Sequence, residues 1–99
     1  MNINVTNTPD LLTIALAGRL DTATSPDFDN QVAQYLTPAN VKDIVIDCSE
    51  LEYISSAGLR SLIIVLKAAK GAGHTVRLTG VKEQIRTVLD MTGISSLFK

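Results

Sequence analysis

Ninety-nine residues, 45% of them hydrophobic, suffice for one small domain with a single core and leave no room for a second, so residues 1–99 are read as one unit. A formal net charge of −1 and an isoelectric point near 5.6 argue against a nucleic-acid-binding surface, which needs a basic stripe to neutralise phosphates. The single cysteine, Cys48, rules out an intramolecular disulfide and a cysteine-rich zinc site.

The chain opens on Met-Asn-Ile-Asn-Val-Thr, without the charged segment and apolar core of a signal peptide. Its longest apolar run, residues 62–66, is far too short to span a bilayer. The expectation is a soluble cytoplasmic protein with no membrane partner. Ile3 and Val5 alternate with polar residues, and a second strand pattern, residues 11–17, follows the turn signal Pro9-Asp10; the two form a predicted hairpin. Thr24-Ser25-Pro26-Asp27 then signals a helix start, with Ser25 as the cap, Pro26 at the first helical position, and Asp27 and Asp29 suited to the positive end of the dipole. Phe28, Val32, Tyr35 and Leu36 are expected on one face of that helix.

Ile44-Val45-Ile46, β-branched throughout, reads as a central strand buried on both sides and running out at Asp47-Cys48-Ser49. Glu52-Tyr53-Ile54 is extended, and a helix begins near Gly58, with Leu59, Leu62, Ile63, Leu66 and Ala69 at the spacing of one face. Lys67 and Lys70 suit its C-terminal end, and Gly71 is placed as its left-handed cap. A strand over residues 75–79 leads to a helix from about Val81, bearing Ile85, Val88, Leu89 and Thr92 on one side and ended by Gly93. Leu97-Phe98 is read as a short extended tail docked on the domain. Strands joined through helices are parallel, with right-handed crossovers, so the predicted fold is α/β: a mixed four- to five-stranded sheet with helices packed against it.

The pair Ser55-Ser56 falls where strand gives way to helix. One of the two is expected to cap that helix by accepting a backbone N–H bond. The same position suits phosphate, because a helix N-terminus presents unpaired N–H groups and a partial positive charge; one phosphate would take the chain from −1 to roughly −3. Nucleophilic catalysis has less support. The nucleophile elbow Gly-x-Ser-x-Gly fails because Ile54 stands two residues before Ser56. His74 sits in the turn Gly71-Ala72-Gly73-His74-Thr75 as a solvated residue, and no metal-ligand cluster or Gly-x-x-x-x-Gly-Lys loop is present in the sequence. Asp21, in the loop after the second strand, reads either as a turn aspartate bonded to its own loop or as a site residue. Asp47 and Ser49 carry the same two readings, with the structural one favoured, and Cys48 reads as a small apolar filler.

Gly18-Arg19-Leu20-Asp21, Asp47-Cys48-Ser49, Tyr53-Ile54-Ser55-Ser56-Ala57-Gly58-Leu59 and Val88-Leu89-Asp90-Met91-Thr92-Gly93 together resemble the STAS domain family, in its stand-alone anti-sigma factor antagonists, over nearly the whole chain. The resemblance implies a partner switch. The unmodified form binds an anti-sigma factor that is also a serine protein kinase and so frees the sigma factor; phosphorylation breaks the complex, and a serine phosphatase restores it. The nucleotide belongs to the kinase, so no cofactor is expected here. The family pattern puts the accepting hydroxyl two residues before the glycine, at Ser56. The preceding position, often aspartate in the family, is Ser55, and the following one, often a hydroxyl, is Ala57. Asp21, Ser55, Ser56, Gly58 and Leu59 are the implied partner-binding residues. The alternatives are a STAS subunit of another assembly, such as a lipid-trafficking or stress-sensing complex, and, third, a hydrolase using Ser56.

Overall fold

The structure, a computed structural model of the chain, describes residues 1–98, apart from the side chains of Ser95 and Phe98. Four strands form one sheet in the order β1 (Asn2–Asn7), β2 (Leu11–Leu20), β3 (Asp43–Ile54), β4 (Val76–Thr79). The predicted hairpin is present: β1 and β2 are antiparallel, Ile3 opposite Leu16 and Val5 opposite Ile14, and the Thr8 amide closes the turn on the Leu11 carbonyl at 2.9 Å. β2–β3 and β3–β4 are parallel, so each pair needs a crossover; α1 (Ser25–Ala33) supplies the first and α2 (Ser56–Gly71) the second. α3 (Glu83–Met91) and a 3-10 turn, η1 (Ile94–Phe98), complete the described chain.

Register decides which side chains meet. Leu12, Ile44 and Val76 stand in one row across the sheet, and Val5, Ile14, Ile46 and Leu78 in the next; these form the core face. Phe28 and Val32 of α1, Leu59, Leu62, Val65, Leu66 and Ala69 of α2, and Ile85 and Leu89 of α3 close over it in a single cluster. Burying each of the larger side chains contributes about 1.5 to 3 kcal/mol, so this one layer of contacts dominates the stability. The opposite face carries Asn4, Thr13, Ala15, Val45, Asp47 and Arg77 and is only partly covered. The expectation of a strand buried on both sides is therefore corrected: Ile44 and Ile46 are buried, whereas Val45 between them is half-buried.

Several boundaries differ from the sequence reading, each for a local reason. β3 does not run out at residues 47–49 but continues to Ile54, because β2 also continues, to Leu20, and pairs with it. Bulges between Ala15 and Ala17 and between Gly18 and Arg19 shift the register, so the buried positions pass from 44, 46, 48 to 48, 51, 54 and the period-two signal is lost. Thr24, not Ser25, holds the cap position of α1; Ser25 is its first residue, buried, with an Oγ that has no hydrogen-bond partner among the described residues. Tyr35 and Leu36 lie beyond the end of α1, half-buried against the core. α2 runs through Gly71, and the left-handed residue is Gly73, φ +83°, which lets the His74 amide reach the Ala69 carbonyl at 2.8 Å and the Gly73 amide reach Lys70 at 3.0 Å. α3 starts at Glu83, and Gly93, φ +75°, follows it as expected, while Thr92 is its exposed C-cap and not a member of the buried face. The tail is helical, not extended, and it docks through buried Ile94; Leu97 is exposed, and the predicted docking of the Phe98 side chain lies outside the described residues.

Candidate functional site

β2 and β3 end side by side, with Leu20 opposite Ile54. One residue further on, Ser55 keeps an extended backbone (φ −99°, ψ 178°) and donates its amide to the Leu20 carbonyl at 2.9 Å. The chain turns into α2 at this point. The Ser55 hydroxyl accepts the Gly58 amide at 3.3 Å and its carbonyl accepts the Leu59 amide at 2.9 Å, so Ser55 is the cap. Ser56 is the first residue of the helix, exposed, and its hydroxyl has no hydrogen-bond partner among the described residues. The helix begins two residues earlier than expected because the cap is the first serine of the pair.

Gly58 explains how closely the helix start approaches the strands. A Cβ there would lie 2.5 Å from the Leu20 carbonyl oxygen and 2.8 Å from Ile54 Cγ1, distances that backbone and packed side chain do not tolerate. Leu59 next to it is buried in the core. Of the five residues the resemblance implies for partner binding, Ser56 is the exposed one, Asp21 and Ser55 are half-buried, and Gly58 and Leu59 hold the turn from beneath.

Asp21 follows Leu20 directly. Its carboxylate accepts the amides of Ala23 at 3.0 Å and Thr24 at 3.1 Å, and the Thr24 hydroxyl returns the arrangement by accepting the Asp21 amide at 2.9 Å and donating to the Arg19 carbonyl at 2.8 Å. Partial burial pushes the Asp21 carboxyl up, but the hydrogen bonds from Thr24 and Ala23 and the charge of Arg19 outweigh it and hold the group below its ordinary value. Asp21 therefore organises its own loop, as the turn reading has it. The Leu20–Ser55 bond also brings that loop beside the start of α2. Two residues not singled out from the sequence join this end of the sheet. Arg19 lies with its guanidinium 4.1 Å from the centre of the Tyr53 ring and its Nε 3.7 Å from Asp21, and Tyr53 is 41% exposed. Their signal was present: both belong to the quoted motifs, and parallel pairing of those two strand ends makes Arg19 and Tyr53 neighbours.

The remaining candidates lie elsewhere. His74 pairs with Asp43 at 3.2 Å, at the beginning of β3, and the whole twelve-residue strand separates them from Ser56. A surface depression of about 520 Å³ sits at that same far end, lined by Asn7, Tyr35, Lys42 and His74 among others. Asp47 accepts the Ser49 amide at 3.0 Å, a bond that lowers its carboxyl below the ordinary value and favours the structural reading of both residues. Cys48 is buried within β3, and desolvation pushes its thiol up to about 12. Among the described residues no three His, Cys, Asp or Glu side chains are grouped to hold a metal ion, and no helix is long and apolar enough to cross a membrane.

Comparison with known proteins gives consistent matches. The STAS domain profile matches residues 2–99. The anti-sigma-B factor antagonist of Staphylococcus epidermidis is 26% identical over 97 residues, covering 98% of this chain and 89% of that one. The crystal structure of an anti-sigma factor antagonist from Mycobacterium paratuberculosis superposes with a TM-score of 0.78 at 23% identity, over 98% of this chain and 81% of that one. The phosphorylated form of the Bacillus cell fate determinant SpoIIAA superposes with a TM-score of 0.79 at 15% identity, over 97% and 87% of the two chains. The two structures establish likeness of fold, a single small α/β domain with a mixed sheet.

Proposed function

The chain belongs to the STAS domain family, and from that premise we propose that it is an anti-sigma factor antagonist, residues 1–99 acting as one binding domain and not as an enzyme. In its unmodified form it binds an anti-sigma factor that is also a serine protein kinase, in the cytoplasm, and releases the sigma factor. Phosphorylation at Ser56 ends the binding, and a serine phosphatase reverses it. The relative from Staphylococcus epidermidis, named as an anti-sigma-B factor antagonist, supports the class.

The observation that carries the reading is the division of labour between the two serines. Ser55 is committed to capping α2, whereas Ser56 stands exposed one residue later with its hydroxyl unengaged. A kinase needs a hydroxyl that it can reach. Ser56 Oγ displaces ADP from the γ-phosphorus of the kinase's ATP, and its proton passes to the kinase's own base. The product carries about −1.5 to −2 charges at the positive end of a helix, where the free domain tolerates them. The penalty falls on the complex, in which an anion meets a surface matched to a neutral hydroxyl. Asp21 flanks the acceptor as a partner contact on a loop fixed by its own hydrogen bonds.

Capture from the source cell with the wild type and with Ser56→Asp tests the reading. The wild type retains an ATP-binding anti-sigma factor, and titration of that partner shows at least tenfold weaker binding to Ser56→Asp, about 1.4 kcal/mol, with both proteins folded by circular dichroism. Equal affinities, or no partner of that class on either bait, would overturn it.

A further inference from the structure

Arg60 stands four residues after Ser56 on α2, and both are exposed. Positions i and i+4 of a helix share a face one turn apart, and helical side chains lean toward the N-terminus, so the spacing puts Arg60 on the same face as Ser56, one turn after it. Among the described residues the ion pairs are Arg19 with Asp21 and His74 with Asp43; Arg60 is in neither, and the first turn of α2 holds no acidic residue. A cation without a counter-ion among the described residues therefore lies one helical turn from the exposed Ser56 hydroxyl.

We propose that Arg60 is the internal counter-ion of the phosphorylated form, its guanidinium donating charge-assisted hydrogen bonds to the phosphoryl oxygens on Ser56. The inference rests on the reading of Ser56 as the modified residue. Acid before base at i, i+4 is the more favourable order on a helix, and the planar fork of arginine fits phosphate oxygens two at a time. Phosphorylation then changes the face twice, by adding an anion and by withdrawing from the partner a cation that the unmodified form presents. The charged residues within four positions of the two strand ends beside Ser56 are Arg19 and Asp21 on the β2 side and Glu50 and Glu52 on the β3 side, and α1, which packs against α2, carries Asp27 and Asp29. Only Arg19 among them is a cation, and it is already held by the Asp21 carboxylate and the Tyr53 ring.

The test uses the full chain with phosphoserine installed at position 56 during translation, which requires no kinase, and follows the second phosphate ionisation by phosphorus NMR. That ionisation ordinarily falls near pH 6. Arg60→Gln is expected to raise its midpoint by about 0.2 to 0.4 pH unit, the effect of losing one exposed i, i+4 pair. Arg60→Lys recovers part of the difference, Arg19→Gln leaves the midpoint in place, and 1 M salt removes the Arg60 effect. Identical midpoints for the wild type and Arg60→Gln, or a shift produced by Arg19→Gln in its place, would overturn the assignment. The midpoint does not depend on any kinase or anti-sigma factor, so failure here leaves the Ser56 reading standing, and failure of the capture experiment leaves this result standing.

Discussion

The two serines differ by one position and by their whole chemical role, and single substitutions separate them. Ser55→Ala removes the side-chain acceptor for the Gly58 amide. Replacing a capping serine costs about 0.5 to 2 kcal/mol, and the 3.3 Å bond length places this one in the lower half of that range. Ser56→Ala removes a hydroxyl with no partner from an exposed first-turn position where alanine is the better helix former, so the change stays within about 0.5 kcal/mol. Urea unfolding of the two variants is expected to rank Ser55→Ala clearly below Ser56→Ala. The reverse order would mean that Ser56 is the structural residue. The sequence alone left this open because a cap is defined by which residue leaves the preceding strand, and that is fixed by the bond from the Ser55 amide to Leu20, thirty-five positions away in the chain.

At the scale of elements, the seating of α2 on the ends of β2 and β3 depends on the missing side chain at Gly58. Two effects oppose each other in Gly58→Ala. Alanine raises helix propensity by about 1 kcal/mol, and the new methyl must displace the Leu20 carbonyl or the Ile54 side chain, an overpacking cost of about 1 to 3 kcal/mol that is largest where the obstacle is backbone. The clash is expected to win, so Gly58→Ala lowers the urea midpoint while circular dichroism shows the helix retained. A variant more stable than the wild type would show that the helix start can move away from the strands without cost. The elements themselves were legible to different degrees. Strands β1 and β2, the stop at Gly93 and the apolar face of α2 announce themselves through alternation, a left-handed glycine and helical spacing. The far half of β3 does not, because the extra residues of its own bulges turn a spacing of two into one of three, and the exit of α2 is displaced by two residues from the sequence reading because Gly71 and Gly73 look alike in sequence while only Gly73 adopts a positive φ.

For the molecule as a whole, acid is the condition that reaches three hydrogen-bonded carboxylates at once, one in the loop after β2 and two on β3. Asp21 accepts Ala23 and Thr24 at the end of β2, Asp43 accepts the Thr75 amide at the start of β3 with His74 beside it, and Asp47 accepts Ser49 at the bulged midpoint. Each is held below its ordinary value: Asp21 against the opposing effect of partial burial, Asp43 chiefly by the Thr75 amide and then by His74, and Asp47 by Ser49. A carboxyl whose value is lower in the folded than in the unfolded chain stabilises the fold above the unfolded value, about 3.9 for aspartate, and loses that contribution as the pH falls through the folded one. The urea midpoint is therefore expected to decline as the pH drops below about 5, with protons taken up on unfolding. Asp43→Asn keeps an oxygen for the Thr75 amide but cannot take up the proton, so its midpoint declines less steeply while remaining close to the wild type in absolute terms at pH 3. A wild-type midpoint that holds level from pH 6 to pH 3, or rises, would show that these three carboxylates do not stabilise the fold in their ionised form.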